Sequence, residues 1–183
     1  MSAKYLTAAA VISPCGLYRY TLSRIWDDAS PARVTFVMLN PSTADGTQDD
    51  PTIRRCVGFA RSWGFGGVDV VNLFAFRATS PIDLFRTADP VGPDNDAHLR
   101  RLTGDGRTVV AAWGKQGAMA SERAEQVRHL LHHAGVEPYA IAFTRCGTPR
   151  HPLYLRGDLS PQPFPYTACS PSNEPKPGGA DHA

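Results

Sequence analysis

Three side chains with complementary hydrogen-bonding chemistry stand at corresponding places along the chain: Asn40, Asn72 and His151. Asn40 follows the apolar run Val34-Thr35-Phe36-Val37-Met38-Leu39. Asn72 interrupts Val68-Asp69-Val70-Val71-Asn72-Leu73, and His151 sits in the loop after Pro138 to Phe143. A primary amide offers a donor and an acceptor side by side, and a neutral imidazole offers one of each. Such groups can read the polar edge of a ligand, hold a water, and donate to a developing anion. Each also has a structural reading. Asn40 before Pro41 turns a chain, because Asn favours loops and a pre-proline residue is extended. Asn72 inside an apolar strand must find partners, and it can tie neighbouring loops instead of binding a ligand. A single loop histidine is more often a surface residue than a catalyst. Asp45, Asp49 and Asp50 have the chemistry of a divalent-cation site, but Asp50 before Pro51 reads better as a helix cap and the other two as solvated. No metal and no cofactor is assigned.

What brings these groups together is the pattern of elements. The chain from Val34 onward reads as short apolar strands alternating with helices: strands over 34–39, 68–73, 108–113 and 138–143, and helices over about 50–63, 82–85, 95–102 and 121–134. The first helix begins at Asp50-Pro51, carries Ile53, Val57, Ala60 and Trp63 at helical spacing, and stops at Gly64; the last has Ala124, Val127, Leu130 and Leu131 on one side. Short, nearly all-apolar strands suit a sheet covered on both faces. The expectation is an α/β fold of three layers, α/β/α, around a central four-stranded parallel sheet. Pro14-Cys15-Gly16 adds an N-terminal β-hairpin at about 9–26. Open α/β sheets bind ligands beyond the carboxyl ends of their strands. Asn40, Asn72, Trp113-Gly114 and the Arg150-His151-Pro152 loop all fall on that rim, with Trp113 packed beneath it. Residues 1–160 read as a single domain and 161–183 as a Pro/Ser/Gly-rich tail, disordered at its end.

Composition narrows the setting. The 183 residues carry a net charge of +2, with 42% apolar and 20% charged residues, ordinary for a globular domain. No run is long enough to cross a membrane, and the short Leu6–Ile12 patch lacks the features of a secretory leader. A cytoplasmic location is expected, with Cys15, Cys56, Cys146 and Cys169 as reduced thiols, none of them in a close pair that would suggest zinc or iron–sulfur ligation. Arginine far outnumbers lysine, which suits phosphate and carboxylate recognition, although a GC-rich genome explains the bias better.

The segments Leu39-Asn40-Pro41-Ser42-Thr43-Ala44, Asn72-Leu73-Phe74-Ala75 and Arg150-His151-Pro152-Leu153-Tyr154 resemble the signatures of an uncharacterised bacterial and phage family, over about residues 14–157. More distantly, the motif order resembles the uracil-DNA glycosylase superfamily. Asn40-Pro41 is similar to that superfamily's water-positioning loop. Asn72 in Val-Val-Asn-Leu is similar to its base-reading strand, Ala111-Ala112-Trp113-Gly114 to its Leu-Leu-Trp-Gly strand end, and His151-Pro152-Leu153-Tyr154 to its His-Pro-Ser-Pro motif. The resemblance implies Asn40 and His151 as catalytic residues and Asn72, Ser42 and Phe59 as base-binding residues. Arg77 and Arg150, near the same rim, are expected to hold phosphates. Departures from the pattern point away from strict uracil specificity: Leu39 stands where the loop-opening Gly belongs, Ser42 replaces a Tyr that excludes 5-substituted pyrimidines, and Tyr154 replaces the final Pro. The resulting expectation is a base N-glycosylase acting on nucleic acid, DNA ahead of RNA. The alternatives are a non-catalytic reader of modified bases or nucleotides, and a nucleoside or nucleotide hydrolase using the same pocket on a nucleotide-like small molecule.

Overall fold

In chain order the elements are β1 (Thr7–Ile12), β2 (Arg19–Ile25), β3 (Arg33–Met38), α1 (Pro51–Ser62), β4 (Gly67–Asn72), α2 (Pro81–Arg86), α3 (Asn95–Thr103), β5 (Thr108–Ala111), α4 (Ala118–His133), β6 (Tyr139–Ala140), a 3-10 turn (Pro152–Tyr154) and β7 (Gln162–Pro163). They come from a computed structural model that describes residues 4–30, 32–104, 106–115 and 118–166. The expected disordered tail end, like Cys169, lies outside the described residues.

The strands form one seven-stranded sheet in the order β1-β2-β4-β3-β5-β6-β7. Its centre is parallel: β3 pairs with β4 and with β5, and β5 with β6. Antiparallel strands close both sides, so the sheet is mixed and larger than the four strands read from the sequence. The N-terminal hairpin is part of it, because β2 pairs antiparallel with β4 from Leu22↔Val70 to Ile25↔Gly67. The physical reason is visible in β4, whose residues are all buried. A fully buried strand requires ladder partners on both edges, since an unpaired backbone group is costly away from water. On the other side, Gln162–Pro163 pairs with β6, in a segment read as tail. Strand β6 is shorter than expected. Beyond Ala140 the chain peels off into a tight excursion closed by the Thr144–Thr148 backbone bond and the Phe143↔Pro149 bridge, and this excursion delivers His151.

Side chains alternate across the sheet and build two cores. Val34, Phe36, Met38, Val68 and Val70 pack against Ile53, Cys56, Val57, Phe59 and Ala60 of α1. Val37, Val71, Leu73, Val109 and Ala111 pack against Leu84 of α2, Leu99 and Leu102 of α3, and Ala124, Val127 and Leu131 of α4. Helices therefore cover both faces. Helix α1 starts as its sequence dictates: Asp50 accepts the Ile53 N–H at 2.8 Å, Pro51 occupies the first turn, and Gly64 ends the segment at φ +83°.

The loop between β3 and α1 is fastened from inside. Arg24 on β2, fully buried, donates Nε to Asp49 at 2.8 Å and Nη2 to the Asp45 carbonyl at 2.6 Å. Asp49 also accepts from Lys4 and from the Tyr5 hydroxyl at 2.6 Å. Burial pushes the Asp49 carboxyl up, but these hydrogen bonds outweigh it and hold it below the usual range. Within the loop, Asp45 accepts the N–H groups of Thr47 and Gln48, which bring its carboxyl down to about 2.

Candidate functional site

A cavity of about 480 Å³ opens at the carboxyl ends of β3 and β4, on the α1 side of the sheet. Asn40, Ser42, Asn72, Arg150 and His151 all line it, with Arg19, Asp50, Thr52, Trp113, Gly114, Lys115 and Tyr154. Five of the seven sequence-nominated residues are thus brought together.

Asn72 is the last residue of β4 and 0% exposed, yet neither Oδ1 nor Nδ2 has a hydrogen-bond partner among the described residues. An orphaned buried polar group costs roughly 1–3 kcal/mol. A donor–acceptor edge left open in a cavity wall is the pattern of a group completed by what the cavity holds. Its backbone is fixed from behind. Asn95 of α3 donates Nδ2 to the carbonyls of Asn72 at 3.0 Å and Leu73 at 3.1 Å, and Arg123 of α4 donates Nε to Leu73 at 2.9 Å.

Asn40 donates Nδ2 to the carbonyls of Pro41 at 3.0 Å and Ala78 at 2.8 Å. With the amide hydrogens committed to two carbonyls, Oδ1 is left as its free acceptor. His151 caps the 3-10 turn: its Nδ1 accepts the Leu153 N–H at 3.2 Å. That bond sets the tautomer, leaving Nε2–H as the donor. Burial lowers the imidazole pKa, and Asp50 opposes this only in part, so His151 is a neutral donor at neutral pH. The Trp113-Gly114 turn matters for geometry. Gly114 lies at φ +78°, and a Cβ there would stand 3.1 Å from the His151 Cβ, so only glycine lets the histidine loop come this close. From the other side, Arg55 of α1 donates to the Pro152 carbonyl at 3.4 Å and also to that of Leu155.

Two nominated residues lie elsewhere. Phe59 is 1% exposed in the α1 core, beside Trp63 and under the Arg55 guanidinium. It is not a cavity wall, because its helical position faces the sheet. Arg77 points to the hairpin turn, donating Nη1 to the Gly16 carbonyl at 3.3 Å. Sequence reading, for its part, missed Arg19 and Tyr154 as site residues. Tyr154 is 75% exposed at the cavity mouth, its ring 5.7 Å from that of His151. Its signal was its position within the histidine motif. Arg19 carried no such signal, because its placement depends on a register shift.

A second cavity, of about 560 Å³, lies on the α4 side and is lined by Trp113, Phe143, Phe164 and Pro165, with Arg128 and Glu125. It is mostly apolar and lacks the converging amides and imidazole of the first. Among the described residues no helix is long and apolar enough to cross a membrane, and no three His, Cys, Asp or Glu side chains group as metal ligands.

Parallel strands covered by helices on both faces make this a mixed α/β protein, with a polar cavity at the carboxyl ends of its strands as the candidate site. The chain belongs to the family described as "Protein of unknown function (DUF1643)", whose model matches residues 19–153. That span includes Asn40, Asn72 and His151 and ends one residue before Tyr154. No curated protein and no solved structure matches the chain.

Proposed function

We propose that this protein is a base N-glycosylase that excises a damaged or modified base from nucleic acid, DNA ahead of RNA, with a uracil-DNA glycosylase-like arrangement of its site. The observation that carries the reading is the buried Asn72 amide, open on both atoms, in a cavity that also holds the His151 Nε2–H and the Asn40 Oδ1. The order of the four motifs, each at a strand's carboxyl end, supports the same reading.

The chemistry follows from those groups. As the bond between sugar and base lengthens, the sugar becomes cation-like and the base gathers negative charge. Nε2–H of neutral His151 donates to a base oxygen as that charge develops, a preorganised interaction of the kind that lowers such barriers. Asn72 pairs with a donor–acceptor edge of the base. Asn40 accepts a hydrogen from the attacking water and fixes its place; an amide is no strong base, but a cation-like sugar needs only a positioned nucleophile. Asp50 lines the same wall, with one carboxylate oxygen capping α1, and adds negative charge near the sugar cation. A base must leave its stack to enter such a cavity. The exposed Arg150 and Lys115 at the mouth face the phosphates of the flipped strand.

The test is base release from single- and double-stranded oligonucleotides containing uracil, hydroxymethyluracil or bulkier modified pyrimidines, read as abasic-site formation. Release by the native protein and its loss in His151→Ala support the proposal. Saturable binding without abasic product points to a reader, and salt-insensitive turnover of free nucleosides to a nucleoside hydrolase; either result overturns it.

A further inference from the structure

Arg19 is a buried cation at the cavity wall whose guanidinium is mostly unused. It is 2% exposed, and its hydrogen bond among the described residues runs from Nη1 to the Ala44 carbonyl at 2.6 Å. Its Nε is buried and without a partner. No carboxylate forms an ion pair with it among the described residues, although Asp50 lines the same cavity. A buried charge ordinarily comes with a partner.

The fold goes out of its way to put Arg19 there. The β1–β2 ladder runs regularly from Thr7↔Ile25 to Val11↔Thr21, then shifts so that Ile12 faces Arg19. Tyr20 is the extra residue of this irregularity. Without it, alternation from Leu22 and Arg24, which face α1, would send Arg19 to the α3 face. With it, Tyr20 stacks on His98 of α3, ring centroids 4.8 Å apart, and Arg19 turns into the cavity. Bulges re-aim side chains in this way next to binding sites. Strand β2 lies directly beside β4, so Arg19 sits at the same end of the sheet as the open Asn72 amide.

We propose that Arg19 is a specificity-determining residue that receives an anionic oxygen group of the cavity's occupant, so that the preferred ligand is a pyrimidine-like ring or nucleotide bearing a carboxylate or a phosphate inside the cavity. The inference rests on the reading of the cavity as a base site and deepens it by naming the substituent. Arg19 remains charged at neutral pH, because burial draws its guanidinium down only to about 10 with Asp50 opposing. Nε is free to donate to an oxygen, and a charge-assisted pair of this kind is short and directional.

The test is calorimetry on the full chain with three probes: uridine, 5-carboxyuracil and uridine 5′-monophosphate. The native protein is expected to bind one anionic probe roughly tenfold to a hundredfold more tightly than uridine, in keeping with hydrogen bonds to charged groups. Which one it is distinguishes a ring carboxylate from a phosphate. Arg19→Met is expected to abolish that preference while uridine binding stays within a fewfold, and Arg19→Lys to keep part of it. Should Arg19→Met not fold, the Lys115→Gln/Arg150→Gln protein supplies the same answer: a preference that survives loss of both mouth cations belongs to Arg19, and one that disappears with them overturns the inference. Equal affinity for uridine and both anions in the native protein sinks the inference alone. Failure of all three probes to bind sinks it together with the base-site reading.

Discussion

Asn72 and His151 are the side chains whose loss should be felt more in rate than in fold. Among the described residues the Asn72 side chain makes no hydrogen bond. Asn72→Ala and His151→Ala are each expected to lower base release roughly a hundred- to a thousandfold, the usual effect of removing a preorganised donor, with the Asn72→Ala thermal midpoint close to the native one and that of His151→Ala modestly lower, because the Leu153 N–H loses its cap. Parallel measurement of abasic-site formation and thermal unfolding checks this. His151 also sets a pH dependence. Its pKa is lowered by burial, so the neutral form predominates at and above ordinary imidazole values. Activity is expected to be level through neutral pH and to fall as pH drops through a midpoint below about 6.5. A kcat/KM profile with an acid limb at or above 6.5 contradicts the geometry. Stability runs in the same direction: an unfolded chain takes up the proton first, so this contribution is lost between 6.5 and the folded value.

At the scale of elements, the site depends on groups that never touch a ligand. Gly114 holds the end of β5 against the histidine loop, so Gly114→Ala is expected to cost about 1–2 kcal/mol of stability. It should also lower activity by more than that stability change explains, because the new methyl presses on the His151 Cβ. Denaturant unfolding beside activity separates the two effects. Arg24 fastens the β3–α1 loop, and Arg24→Met removes a partner of buried Asp49. Asp49 keeps Lys4 and Tyr5 as partners, so the expected loss is ~1–3 kcal/mol, read from urea midpoints at pH 7. The native Asp49 contribution is present above the ordinary carboxylate pKa and is lost as pH falls through the lowered folded value, so the variant's deficit should shrink in acid. Much of this level was legible in advance. Asp50-Pro51 and Gly64 bracketed α1, and apolar runs marked the strands, because caps and burial are local signals. Trp113-Gly114 was read as a strand end, but not as a wall against His151. The fastening by Arg24 and the re-aiming of Arg19 were illegible, since both arise from pairings between distant segments. Phe59 was misplaced for a related reason: an aromatic on a helix looks the same in sequence whether it faces a cavity or a core.

At the scale of the whole molecule, a net charge of +2 gives no broad field to attract a polyanion. Any nucleic-acid affinity must come from the few cations at the cavity mouth. The dependence of log affinity on log salt should therefore be shallow, and Arg150→Gln or Lys115→Gln should each lower its slope by about one. A slope unchanged in both variants places the backbone contact on another surface. The sheet itself was only half visible beforehand. The four central strands could be read from their own apolar runs, whereas β7 is two residues long and has no pattern to read.

Trp113 lines both cavities, and its indole packs on the α4 side with Phe164, 6.1 Å away. Trp26 lies under Arg61 and Trp63 against Phe36 and Phe59, neither of them lining either hollow. The molecule thus carries its own optical gauge. In a Trp26→Phe/Trp63→Phe background the remaining fluorescence reports filling of the aromatic chamber beside Phe164.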